Sequence, residues 1–173
     1  WKSTAKNWVW ADVRFVGTFD GRGHIIDGYN GGDTGLFYCT GAKAVIKNIA
    51  FTNATGSRVL ASTQIHGTTF ENVFVSGSAQ YFTANGFSAP KYKNVIFVSS
   101  HPNAALFAEG NNNNNNGTMT LTNVFVVGEK IHGYYGGTTN EVNANTYATL
   151  EAMMAALSAE GELDKWPGRP YSI

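Results

Sequence analysis

Apolar and polar positions alternate along this chain in a phrase that recurs. The copies are Ile46-Lys47-Asn48-Ile49-Ala50-Phe51, Phe70-Glu71-Asn72-Val73-Phe74-Val75, Tyr92-Lys93-Asn94-Val95-Ile96-Phe97 and Leu121-Thr122-Asn123-Val124-Phe125-Val126. A looser first copy is Ile26-Asp27-Gly28-Tyr29. The form is apolar, any, Asn, apolar, any, apolar. Side chains in a strand alternate faces with period two. The first apolar residue of each phrase therefore has the opposite parity to the last two. All three reach one core only if the chain bends at the Asn. A single residue in the left-handed region makes such a bend, and Gly and Asn adopt it at least cost. The reading assigns the bend to Gly28, Asn48, Asn72, Asn94 and Asn123 as a structural corner ladder.

The corners are spaced by about 20, 24, 22 and 29 residues. One strand phrase per such period predicts a solenoid whose coils stack about 4.8 Å apart, each Asn above the next. Stacked amides can then hydrogen-bond along the column. A leucine-rich repeat has a similar length, but its leucine pattern is missing. A second strand is expected ten residues ahead of each phrase, through Leu36, Leu60 and Phe82. Leu106 lies fifteen ahead of Leu121, and the excess falls on the run Asn111 to Asn116, read as an insertion at one turn. The fold class expected is all-β: a right-handed parallel β-helix of about five coils, with an N-terminal cap and one C-terminal α-helix packed on it. One domain, 1–173, divides into a cap (1–12), coils (13–132) and a loop, helix and tail (133–173).

Two outward rows follow from the same phrase. The position before each corner holds Asp27, Lys47, Glu71, Lys93 and Thr122, alternating in sign and so favouring one register. The position two after each corner holds Asn30 and then Ala50, Phe74, Ile96 and Phe125, extended by Val98 and Val127. An apolar stripe on an outer face wants a cover. Tyr147 to Glu160 reads as a helix with Leu150, Met153, Met154 and Leu157 on one side, started by Asn145 or Thr146 and ended by Gly161. It is expected to dock on this stripe or to cap the last coil beside it, with a Met-rich partner-binding groove as the alternative. Trp1, Trp8 and Trp10 are read as the cap over the open first coil. Gly133 to Asn140 reads as a Gly-rich aromatic loop. Leu163 to Ile173 reads as an extended tail or a linker.

The segments Gly17-Thr18-Phe19-Asp20-Gly21-Arg22-Gly23-His24-Ile25-Ile26, Gly35-Leu36-Phe37 and Ile46-Lys47-Asn48-Ile49 resemble the right-handed β-helix repeats of large bacterial surface and secreted proteins, including the GLUG-motif group. The pectate-lyase-like superfamily shares that architecture. The resemblance covers roughly residues 13–127 and departs from the GLUG pattern where a Gly-Gly-Leu-Val element is missing. It implies a parallel β-helix and an extracellular or cell-surface location. A phage tail or spike protein is the alternative, with the virion as location.

Composition narrows the function classes. Hydrophobic residues make up 43% and aromatics 13%, enough for one core, while charged residues are 14% and the formal net charge is zero. Bulk charge therefore attracts neither nucleic acid nor an anionic membrane. No apolar run is long enough for a membrane span. A single cysteine, Cys39, precludes an internal disulfide. The sequence starts at Trp1, which suggests a processed product or a piece of a longer protein. Two glycosylation sequons exist by spelling, at Asn53 and Asn116.

The sequence holds no recognisable catalytic constellation. A β-helix lyase needs carboxylates converging on Ca²⁺ plus an Arg or Lys base, and a glycoside hydrolase needs two carboxylates flanking the bond. Asp20, Asp27, Asp33, Glu71 and Glu109 are instead scattered. His24, His66, His101 and His132 lack metal-ligand spacing. No nucleophile elbow, phosphate loop or dinucleotide fingerprint occurs. The expectation is a non-catalytic β-helix module of a larger surface or appendage protein, with no catalytic residue, metal or cofactor. Its expected partners are other domains or subunits, with glycans as candidate ligands. A fragment of a polysaccharide lyase or hydrolase is the enzymatic alternative.

Overall fold

The computed structural model describes residues 14–64, 67–86, 89–110 and 117–159. The proposed tryptophan cap, His66, the Asn111–Asn116 run, Gly161 and the tail lie outside them. The first coil contributes β1 (Arg14–Phe15) and β2 (Thr18–Asp27), and the second β3 (Phe37–Thr40) and β4 (Val45–Ala54). They are followed by β5 (Arg58–Gln64), β6 (Thr69–Gly77), β7 (Tyr81–Gly86), β8 (Lys91–Ser99), β9 (Glu109–Gly110), β10 (Thr118–Val127), β11 (Thr138–Tyr147) and the helix α1 (Leu150–Ala159). All pairing is parallel. One sheet runs β1-β3-β5-β7-β9 and the other β2-β4-β6-β8-β10-β11. The chain is a parallel β-solenoid of about five turns with one helix near the C-terminal end of the described residues.

The register explains the phrase. Ile46, Phe70, Tyr92 and Leu121 stand in one column, and Ile49, Val73, Val95 and Val124 in a second. Phe51, Val75, Phe97 and Val126 form a third. All twelve are buried in one core. Between the first and second columns the chain turns at Asn48 (φ 55°), Asn72 (53°), Asn94 (52°) and Asn123 (52°). The opposite sheet closes the core with Leu60, Phe82 and Leu106, all fully buried. Phe82 packs edge-on against Phe70 (5.3 Å) and Phe97 (6.2 Å), while Phe70 stacks flat on Tyr92 at 5.3 Å. Thr68 in the turn before β6 donates to Thr40 Oγ1 at 2.8 Å, so this buried polar pair is satisfied.

Two parts of the fold differ from the sequence reading. The first-coil corner is not Gly28. Asp20 pairs with Lys47 and His24 with Ile49, so the bend of β2 is Gly21-Arg22-Gly23, with Arg22 at φ 51° and Gly23 at φ 78°. Gly28 does have positive φ, 69°, but its N–H bonds Thr52 O, beside Asn53 (φ 52°) at another bend of the coil. Glycine serves any left-handed bend, so its residue type alone did not say which one. Two assignments move with it. Asp20, not Asp27, opens the charged row, and Ile25, not Asn30, opens the outer stripe.

The second difference is β11. The sequence reading places 133–140 in a loop, starts the helix at Tyr147 and predicts no strand between them, yet residues 138–147 form a full strand paired with β10 from Thr118↔Thr138 to Val127↔Tyr147. Asn143 supplies a fifth Asn corner, φ 57°. The phrase is hard to see because Glu141 and Thr146 occupy apolar positions. Among the described residues these positions lie on the last strand of the sheet, and both residues are exposed. The solenoid therefore runs past residue 132. The helix correspondingly starts later, at Leu150, and its N-cap is Thr149. Thr149 Oγ1 accepts from Ala152 N at 3.1 Å, so neither Asn145 nor Thr146 caps it.

Candidate functional site

Three features of the surface are built by the repeat, and each is assembled from one position of the phrase. The first is the amide ladder. Asn143 Nδ2 donates to Asn123 Oδ1 (3.1 Å), Asn123 to Asn94 (3.0 Å), Asn94 to Asn72 (2.8 Å) and Asn72 to Asn48 (3.0 Å). Every amide donates toward the N-terminal coil. A carboxylate terminates the ladder there, since Asn48 Nδ2 donates to Asp20 Oδ1 at 3.0 Å. At the other end Asn145 Nδ2 donates to Asn143 Oδ1 at 3.0 Å. An acceptor-only group suits the donating end, because a carboxylate has no hydrogen to misplace.

The second feature is the charged row. Lys47 Nζ lies 3.7 Å from Asp20 Oδ2, and Lys93 Nζ lies 2.8 Å from Glu71 Oε1. Both pairs are solvated, so their value lies in register more than in stability. Asp27, displaced from this row, accepts instead from Thr52 Oγ1 (2.7 Å) and Asn53 Nδ2 (2.8 Å). The Asn53 sequon amide is thus bonded to the neighbouring coil.

These bonds hold both aspartates below their ordinary pKa. For Asp20 the main cause is the Asn48 amide, then the Arg22 N–H, with Lys47 adding to them. For Asp27 it is the Thr52 hydroxyl, then the Asn53 amide. A depressed folded-state pKa stabilises the fold above the unfolded-state value, and that contribution is lost as pH falls through the folded value. The melting temperature should therefore drop on acidification below about pH 4, the ordinary aspartate range. Asp20→Asn should shallow that drop, as read by circular dichroism melts across the acid range. An unchanged slope would remove Asp20 from the account.

The third feature is the apolar outer stripe. Ala50, Phe74, Ile96 and Phe125 form one buried cluster with Val127 and with Met153 and Leu157 of α1, and Leu150 and Tyr147 pack against it. The stripe is thus helix-covered. Ile25, the first-coil member of the same row, is 49% exposed.

A cleft of about 630 Å³ lies where three coils leave the larger sheet. Ser99, His101, Pro102, Glu129 and Tyr147 line it. Two of its polar side chains bond their own coil or the next. Ser99 Oγ donates to Ala79 O (2.5 Å) and accepts from His101 N (3.1 Å), while His101 Nδ1 accepts from Asn103 N (3.1 Å). A neutral His101 ring that accepts at Nδ1 carries its proton on Nε2. The serine hydroxyl therefore has no base directed at it, which a serine nucleophile requires. His132 stacks on Phe107 at 5.2 Å, with Nε2 3.8 Å from Glu141 Oε1, and His24 is exposed on β2. Among the described residues no three His, Cys, Asp or Glu side chains group as metal ligands would. Cys39 is buried, and desolvation raises its pKa, which favours the unreactive thiol. No helix among the described residues is long and apolar enough to cross a membrane.

The fold places the chain in the class of parallel β-solenoids. Comparison with known protein families, with curated proteins and with solved structures gave no match.

Proposed function

We propose that this chain is a structural module: a rigid β-solenoid section of a larger surface or appendage protein, acting outside the cell as a spacer or adhesive element. The observation that carries the reading is where its acids are used. Asp20, Asp27 and Glu71 each bond a side chain on an adjacent coil. Carboxylates committed in this way hold register and are poorly placed to serve as acid, base or ligand. The repeat resemblance to bacterial surface proteins agrees with that role. A glycan-contacting variant of the reading rests on Tyr134, an aromatic side chain 60% exposed on the loop before β11. Incubation with a panel of uronic-acid and neutral polysaccharides, followed by product analysis, tests the proposal. Unaltered polymers are expected, and release of oligosaccharides would overturn it. A glycan array run with the chain and with Tyr134→Ala tests the adhesive variant, where binding lost on substitution is the expected result.

A further inference from the structure

We propose that the cleft beside His101 binds a neutral saccharide, held through its hydroxyl groups by Glu129, His101, Ser100 and Thr146. It is a second, weaker sugar site alongside Tyr134, and it rests on the adhesive reading of the module. The repeat builds it. Val98, Val127 and Tyr147 stand in register on three successive coils. The cleft opens where the chain leaves those strands, and Ser99, Gly128 and Ala148, one residue further on, all line it. Successive coils lie about 4.8 Å apart, so polar groups on neighbouring turns meet different points along one ligand. The volume of about 630 Å³ is in the range of small-molecule clefts.

The cleft holds polar groups that the fold leaves unspent. Asp20, Asp27 and Glu71 each bond a neighbouring coil. Glu129 does not. Among the described residues nothing bonds its carboxylate, and nothing bonds the hydroxyls of Ser100 and Thr146. All three residues are exposed. His101 is half-buried, and its Nδ1 accepts from Asn103 N at 3.1 Å. The proton of the neutral ring is then on Nε2, which makes that side of the ring a donor. One carboxylate, one imidazole N–H and two hydroxyls form a mixed set of acceptors and donors. Pro102, Val127 and the half-buried ring of Tyr147 add apolar surface beside them.

The balance of that set selects the ligand. Sugar hydroxyls donate to a carboxylate in charge-assisted hydrogen bonds and also accept from an imidazole N–H. The C–H groups of the sugar ring suit the apolar surface. Glu129 is the one full charge among the described lining residues when His101 is neutral, and it repels the carboxylate of a uronic acid. An ammonium ligand would suit Glu129 but would meet the N–H of His101. The sugar is held and not cleaved. The Ser99 hydroxyl is donated to Ala79 O, and one carboxylate cannot fill the two roles that glycoside hydrolysis divides between a pair.

An open cleft with four hydrogen-bonding residues should bind at a Kd of about 1 mM. Such binding is lost in the washing of an array, so it is read in solution. Saturation-transfer NMR and titration with neutral gluco-, galacto- and manno-oligosaccharides test it, with galacturonate oligomers as the charged comparison. At least one neutral series should bind, and the galacturonate oligomers should bind more weakly or not at all. Glu129→Gln should raise the Kd about tenfold, as should His101→Ala. Because Glu129 is exposed and unbonded, Glu129→Gln should keep the parent's melting temperature. Tyr134→Ala should leave the titration unchanged. No binding of any neutral series, a preference for galacturonate, or a Kd indifferent to both Glu129→Gln and His101→Ala would each overturn the site. Array binding that is lost in Tyr134→Ala would still support the adhesive reading after any of those results, so the two fail separately.

Discussion

Phe82→Ala is expected to cost about 3–5 kcal/mol of folding stability, the range for removing a buried phenylalanine and leaving its cavity. Phe82 is fully buried on the smaller sheet, at the meeting point of Phe70, Tyr92 and Phe97. Those rings belong to two successive coils, so truncation removes contacts within one layer and between layers. Stability in a solenoid is close to a sum of coil terms and nearest-neighbour terms. A defect at a central coil therefore weakens its junction with the coils on both sides. Against a typical total of about 5–15 kcal/mol, the loss is large enough to separate the melting of the two halves. Urea unfolding followed by circular dichroism measures it. Phe82→Leu should recover about half the loss. A shift under about 1 kcal/mol for Phe82→Ala would mean that the site collapses without strain.

Asn72→Ala ranks next, at about 3–4 kcal/mol. Alanine in the left-handed region costs about 1–2 kcal/mol. The ladder bonds to Asn48 and Asn94 are lost as well, each worth about 1 kcal/mol net. Asn72→Gly separates the two effects, since glycine keeps the φ of 53° without strain and loses only the amide. The glycine variant should retain about 1 kcal/mol more stability than the alanine variant in urea titrations. Equal losses would mean that the corner is not what selects asparagine here.

The ladder also shows why the repeat was readable. An inverted parity on either side of a single Asn is a local constraint, and it appears in the sequence four times unchanged. The solenoid, the inward columns and the apolar outer row at Ala50, Phe74, Ile96 and Phe125 follow from it without long-range information. The helix was legible for the same reason, since its apolar spacing at Leu150, Met153 and Leu157 is local too.

Legibility failed at the two ends. At Gly28 two bends of the same residue type compete for one label, and only the pairing of Asp20 with Lys47 decides between them. At Asn143 the corner is present but its apolar neighbours are not. Among the described residues, no further strand stacks on the inward positions of β11, Glu141 and Thr146. The sequence has no reason to make them apolar, so the pattern fades where the core ends. The groove beside His101 was invisible for a third reason. Its lining comes from three separate coils, and no local motif records which turns will be neighbours.

The chain by itself thus determined the coil, its corner chemistry and which faces are apolar, because each depends on parity between residues a few positions apart. Tertiary structure decided which bend belongs to which column, that Asp20 ends the amide ladder, and that Asp20, Asp27 and Glu71 each bond a neighbouring coil. Those are questions of register between strands 20 or more residues apart, and register is fixed only when the coils stack.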